Sequence, residues 1–195
     1  MTTMLTWQAD DGHGFEGTRL HFGTGHGFRA LGRLVRADPE GEFTASYRLV
    51  VREDGTVERV SLTSATATRE RHLTINRTED GYWLLDTGSG GTRAEFDGAV
   101  DVDLAGSPMF NSLPVRRLGL HTEPGEHTIP VVYVSLPDLE VTLVQQTYRT
   151  VSAGDDPVVE FSSDGVSAEL TLDADGVVVA YPGLATRYAP APAVG

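Results

Sequence analysis

Six Asp-Gly dipeptides, beginning at Asp11, Asp54, Asp80, Asp97, Asp164 and Asp175, punctuate a chain whose apolar side chains recur at every second position. A period of two marks a strand with one buried face. Asp-Gly is the dipeptide that suits type I′ hairpin turns, which need positive φ at both central residues. Between Phe43 and Arg52 the apolar set Phe43, Ala45, Tyr47, Leu49 and Val51 alternates with Thr44, Ser46, Arg48 and Arg52. Val166, Ala168, Leu170 and Leu172 share a face in the same way, as do Leu139, Val141 and Leu143. The run from Val131 to Leu136 is apolar on both parities, which places it deeper in the sheet system. Asp54-Gly55 and Asp175-Gly176 are expected to close hairpins, and Asp97-Gly98 reads as a bulge or bend.

Roughly a dozen strand-like segments at this spacing predict an all-β fold, an antiparallel sandwich, barrel or roll. No stretch carries a helix-length apolar stripe with caps, so any helix is expected to be short. A length of 195 residues suits one domain, and no linker or internal repeat divides it. Residues 1–188 therefore read as a single β domain and the Ala/Pro-rich residues 189–195 as a frayed tail.

Composition narrows the chemistry. With no cysteine there is no disulfide, thiolate metal site or cysteine nucleophile. Fifteen basic against 28 acidic residues leave a net charge of −13, which repels nucleic acid and anionic headgroups at long range. A lipid ligand would then be neutral, or drawn in by a local basic patch. The N-terminus has neither the basic nor the apolar region of a secretory signal, and no apolar run approaches a membrane span. The cytoplasm is the expected location.

One stretch is more specific. Asp101-Val102-Asp103-Leu104 leads into Ser107-Pro108, then Asn111-Ser112-Leu113-Pro114, and ends on Arg116-Arg117-Leu118. It resembles the central signature of the putative glycolipid-binding family. Flanking features agree in order: Trp7, Glu16 after Phe15, Tyr47-Arg48, Tyr133-Val134, Pro137-Asp138-Leu139, Gln145, Tyr148, Asp173, Gly176 and Tyr181-Pro182-Gly183-Leu184. Met109-Phe110 departs from the pattern, as does the strand after Gly55, which lacks a tryptophan. The resemblance implies a long antiparallel β-roll or half-open barrel with a concave interior, similar in outline to bacterial lipoprotein carriers. It also implies an amphiphilic ligand, a glycolipid among the candidates.

The residues that could carry function follow from these patterns. Asp101 and Asp103 share one face of a strand. There they could hydrogen-bond sugar hydroxyls, hold a hard cation, or divide acid and base duties, or simply pair with Arg116 or Arg117. Those two arginines read as strand neighbours facing opposite ways, so one is expected inside and in need of a carboxylate such as Asp101, Asp103 or Glu16. Asn111 reads as part of a rigid loop between Pro108 and Pro114. Tyr47, Trp83, Tyr148 and Tyr181 are strand aromatics suited to the core or to stacking on a sugar. Gln145 ends the stripe of Leu139, Val141 and Leu143, a polar amide that must find partners if buried. With Glu16 and Arg48 these form the candidate ligand-binding set. No catalytic residue, metal or cofactor is assigned. His13, His21 and His26 lack ligand spacing, and the Gly23–Gly27 run lacks the Lys-Ser/Thr of a phosphate loop.

Three readings compete. The first is a non-catalytic carrier or sensor holding an amphiphile in the concave interior of the roll. The second is a protein-interaction module using the concave sheet or an edge strand. The third is a glycoside or ester hydrolase using Asp101 and Asp103, which requires both in a cleft with unequal environments.

Overall fold

A computed structural model describes residues 1–38 and 41–189; the expected tail beyond Ala189 lies outside the described residues. The N-terminal half winds as consecutive antiparallel neighbours: β1 (Thr2–Ala9), β2 (Gly14–Phe22), β3 (Phe28–Asp38), β4 (Gly41–Val51), β5 (Val57–Thr66), β6 (Glu70–Arg77), β7 (Trp83–Asp86) and β8 (Gly91–Ala94). A 3-10 turn (Phe96–Gly98) leads to β9 (Asp101–Leu104) and the helix α1 (Pro108–Arg117). Then come β10 (Glu126–Val134), β11 (Val141–Ser152), β12 (Val158–Ser163), β13 (Val166–Leu172), β14 (Val178–Tyr181) and β15 (Ala185–Arg187). Because β15 pairs with β1, all fifteen strands join one sheet whose edges are β8 and β9. Every pairing is antiparallel except that of β9 with β10. The sheet does not close, although the Val57 N–H bonds to the Val100 carbonyl and draws β5 toward the β9 edge.

The alternation read from the sequence holds where one face is wet. In β4, Ala45, Tyr47, Leu49 and Val51 are buried while Thr44 and Arg48 are exposed. The Asp-Gly turns divide. Asp164 and Gly165 both have positive φ and join β12 to β13 in the I′ manner. The expected hairpins at Asp54-Gly55 and Asp175-Gly176 form, but only the glycine takes positive φ. Each Asp carboxylate, Asp54 and Asp173, instead accepts backbone N–H bonds within its turn.

The main departure from the sequence reading is at residues 107–117, where an expected proline loop and arginine-bearing strand are one ten-residue helix. Pro108 stands in the first turn, where its missing N–H costs nothing. Every residue from Pro108 to Val115 is buried, so no wet face exists to create the periodic stripe by which a helix is recognised. Pro114 removes one internal hydrogen bond, and the packing offsets it. Met109, Phe110 and Leu113 enter one apolar cluster with Trp7, Leu49 and Ile75, while Val115 enters a second with Tyr148, Phe161 and Leu170. The helix thereby fills the inside of the sheet and ties its two halves together. Burying Phe110 and Leu113 is worth roughly 2–3 kcal/mol each. This helix is too short to cross a membrane, and no other helix among the described residues is long and apolar enough to do so.

One glycine is required by a close approach. Gly32 of β3 lies directly opposite Tyr47 of β4, and a β-carbon there would stand 2.0 Å from the ring. The absent side chain lets Tyr47 lie across β3 and reach Glu16. Gly32→Ala is expected to cost roughly 3 kcal/mol by overpacking, lowering the melting temperature by about 6–12 °C. Gly17→Ala, on the neighbouring strand with nothing within 4 Å of its would-be β-carbon, should change it far less. Thermal denaturation of the two variants checks this.

Candidate functional site

Between the start of α1 and strands β10–β14 lies a cavity of about 330 Å³. Asp103, Ser107, Asn111 and Gln146 supply its polar lining. Tyr133, Val144, Phe161, Tyr181 and Leu184 supply the apolar part, with Asp164 and the exposed Val166 at its rim. The chain reaches this place by a sharp turn. β9 ends at Leu104, Gly106 takes φ +76°, and the Ser107 N–H bonds back to the Leu104 carbonyl before the helix starts.

Three buried carboxyl groups surround the helix, and each is stabilised differently. Asp101 is fully buried and gripped by Arg117 of the last helical turn, with Nη2–Oδ2 at 2.5 Å and Nε–Oδ2 at 3.1 Å. Burial pushes its pKa up, and the Arg117 hydrogen bonds and charge oppose the shift. Glu16 projects from β2, and its Oε1 accepts from Tyr47 Oη at 2.6 Å, Ser107 Oγ at 2.8 Å and Thr18 Oγ1 at 3.3 Å. Its Oε2 is buried without a partner. Burial raises Glu16 to about 7 against those three hydroxyls and, least, the Met109 N–H. Ser107, at the helix N-cap, makes no cap bond with its side chain and serves Glu16 instead.

Asp103 is the carboxyl group that meets the cavity. A one-way chain of donors ends on it: Asn111 Nδ2 donates to Tyr148 Oη (3.1 Å), Tyr148 Oη to Gln146 Oε1 (2.9 Å), and Gln146 Nε2 to Asp103 Oδ2 (2.7 Å). Burial raises Asp103 to about 6, and the Gln146 bond and the Leu104 N–H counteract it only in part. No other side chain among the described residues donates to it. Burial first, then the Asp103 charge, pushes Tyr181 up to about 12, and the same causes raise Tyr133 and Tyr148. These tyrosines are hydroxyl donors at neutral pH.

The candidate residues from the sequence are thus distributed unevenly. Asp103, Asn111 and Tyr181 line the cavity, and Tyr148 stands one hydrogen bond behind it. Glu16 and Tyr47 lie across the helix start, joined to the cavity through Ser107. Asp101 and Arg117 form their own pair. Arg116 leaves the helix end to lie over Phe22 and Phe28, 4.6 and 5.4 Å from their ring centres, and to bond the Asp175 carbonyl. Trp83 is a core residue whose Nε1 bonds the Ala99 carbonyl. Arg48 is exposed on the outer face.

Two expectations are corrected. Arg116 and Arg117 follow one another on a helix, so strand parity does not divide them. Gln145 is exposed, and Gln146 is the buried amide. The stripe through Leu139, Val141 and Leu143 misled because Leu139 turns at φ +57° before β11 begins and Leu143 is 40% exposed. Strand parity with Tyr148 and Val144 was the signal that could have found Gln146. Phe161 and Leu184 had no such signal, since their approach depends on strands far apart in the chain. No group of three or more His, Asp or Glu side chains among the described residues is placed to hold a metal ion.

The buried carboxyl groups make stability depend on pH. Glu16 and Asp103 bind their protons more firmly folded than unfolded, so their contribution is complete below about pH 4 and lost as pH rises through 6 to 7. A rise from 4.5 to about 7 for Glu16 corresponds to roughly 3 kcal/mol. Glu16→Gln should therefore shrink the fall in melting temperature between pH 5 and pH 8. A fall of unchanged size would refute this assignment.

Known proteins place this geometry in context. A crystal structure of a DUF1089 family protein from Pseudomonas aeruginosa is similar over 89% of this chain and 92% of that one, with 26% identity and a TM-score of 0.74. A β-barrel-like protein of domain of unknown function DUF1849 from Brucella abortus matches over 95% of this chain and 93% of that one. Its 12% identity and TM-score of 0.53 show likeness of fold alone. No protein of curated function matches the chain. A family model described as putative glycolipid-binding matches residues 4–187, from β1 to the end of β15. With the match spanning the whole sheet and the helix that fills it, this chain belongs to the putative glycolipid-binding family.

Proposed function

We propose that residues 1–188 act as one non-catalytic binding domain, a carrier or sensor that holds the hydroxyl-bearing head of an amphiphile in the cavity beside α1. The observation that carries this reading is Asp103, a buried carboxyl group at the cavity whose one side-chain donor among the described residues is Gln146. Hydroxyl groups are the donors that such an acceptor lacks. A phosphate head would meet repulsion there, so the head is a neutral, sugar-like one. The aromatic and aliphatic groups Tyr133, Phe161, Tyr181 and Leu184 offer faces for a sugar ring and the start of a chain. A volume of about 330 Å³ is at the small end of ligand sites. It suits a headgroup and the first carbons rather than a whole two-chain lipid.

The competing readings have less support. A hydrolase built on Asp101 and Asp103 lacks its pair, because Asp101 is tied to Arg117 and does not line the cavity. The concave interior that would receive a protein segment is filled by α1. The edge strand β8 is four residues long, and its Arg93 lies 3.5 Å above the Tyr82 ring, features that discourage strand addition.

Native mass spectrometry of the purified protein, with organic extraction of what co-purifies, tests the reading. The expected result is a near one-to-one hydroxylated amphiphile. An empty protein whose melting temperature ignores a panel of glycolipids overturns it. Because hydroxyl donors favour the carboxylate, affinity for an alkyl glucoside should rise from pH 5 to pH 7.5 as Asp103, at about 6, ionises. Asp103→Asn should bind roughly tenfold more weakly and lose that pH dependence. Isothermal titration of both proteins measures it.

A further inference from the structure

All fifteen basic side chains of this chain are arginines, and eleven of them fall in residues 1–100. Strand registry gathers five of these on the outer face of β2–β5. One row across the sheet runs Met4, Arg19, Leu31, Arg48. The next runs His21, Arg29, Val50, Arg59. Arg33 stands in the row on the other side of the first, between Gly17 and Ser46. Strands ~4.8 Å apart and same-face residues ~6.8 Å apart put the Cα atoms of the five arginines within a patch of about 15 by 14 Å. All five arginines are exposed. None forms an ion pair with a described residue, and their one side-chain bond is from Arg59 Nε to Ser61 Oγ. Across β1–β5 these three rows contain no Asp or Glu.

Between the arginines stand apolar side chains that face water: Met4 is 67% exposed and Leu31 43%, with Val35 at 50% and Phe15 at 49% paired one row further on. In a protein of net charge −13, a cluster of unpaired cations interleaved with exposed apolar groups calls for an anionic partner with an apolar layer beneath. We infer that the outer face of β1–β5 docks on an anionic lipid bilayer. The guanidinium groups pair with lipid phosphates, and Met4, Leu31 and Val35 reach below the headgroups. A nucleic acid has less to recognise, because the three rows hold no Phe, Tyr or Trp on which bases could stack. The remaining acidic surface orients the molecule, since charges beyond about 8 Å are screened at physiological salt.

The test is co-sedimentation of the full chain with vesicles of mixed phosphatidylglycerol and phosphatidylcholine, beside pure phosphatidylcholine. Binding to the anionic vesicles alone is expected, and it should weaken steeply with added salt. Replacing Arg19, Arg33 and Arg48 together by Ser should lower the partition coefficient roughly a hundredfold without shifting the melting temperature. The same change at Arg69, Arg93 and Arg149 should leave most of it. Failure of the unaltered protein to sediment with anionic vesicles at low salt overturns the inference, as does undiminished binding by the first variant. So does binding that is lost only when the cavity is filled by Val144→Trp, which would mean uptake of a single lipid. Retardation of an oligonucleotide through these arginines, without vesicle binding, overturns it in favour of nucleic acid.

Discussion

An unclosed, mostly antiparallel sheet of fifteen strands has a curved inner face that its own side chains do not cover, and the buried helix α1 resolves this. Phe110 packs edge-on against Tyr47 of the N-terminal half, with ring centres 5.0 Å apart. Asn111, one residue on, bonds Tyr148 of the C-terminal half. Ser112 accepts the Val178 N–H. The helix is therefore a bridge as much as a filler. Because residues 108–115 are buried on every side, each polar group they carry must find a partner inside the protein.

That requirement explains why carboxyl groups accumulate around it. Asp101 meets a full opposite charge at the C-terminal end of the helix, where a cation is also favoured by the helix dipole. Glu16 meets three hydroxyls near the N-terminal end, the end that favours an anion. Asp103 meets one amide and an open volume. The three form a series in which compensation by the protein decreases and room for something else increases. The group with most room is the one at the cavity, and its proton affinity lies close enough to neutrality to respond to what enters.

Legibility in the sequence followed solvent. From β1 to β6, strands have one face in water, and alternation marks both their existence and their orientation; Ala45, Tyr47 and Leu49 point inward as their spacing predicts. β9 and residues 108–115 of α1 are buried on all sides, and there the pattern is silent. The shared face of Asp101 and Asp103 was readable, but not that it would be enclosed. At β11 the apolar stripe pointed to the wrong parity, because the turn at Leu139 shifts the phase and an apolar residue, Leu143, faces outward. The arginine patch was invisible for another reason: Arg19, Arg29, Arg33, Arg48 and Arg59 are scattered over forty-one positions of chain and become neighbours only through strand registry.

By itself, the sequence determined that the chain would be all-β with little helix, a sandwich, barrel or roll, because period-two alternation and Asp-Gly turns act through neighbours two to four residues apart. Its signature stretch carried the resemblance to the family whose model matches residues 4–187. Only the tertiary structure decided that this stretch folds into a helix inside the sheet. It also decided that Arg117 neutralises Asp101 while Asp103 is left to a cavity, and that Gln146 rather than Gln145 turns inward. Those outcomes depend on which distant strands approach the helix, and the pairing of β15 with β1 that brings them together leaves no local trace in the chain.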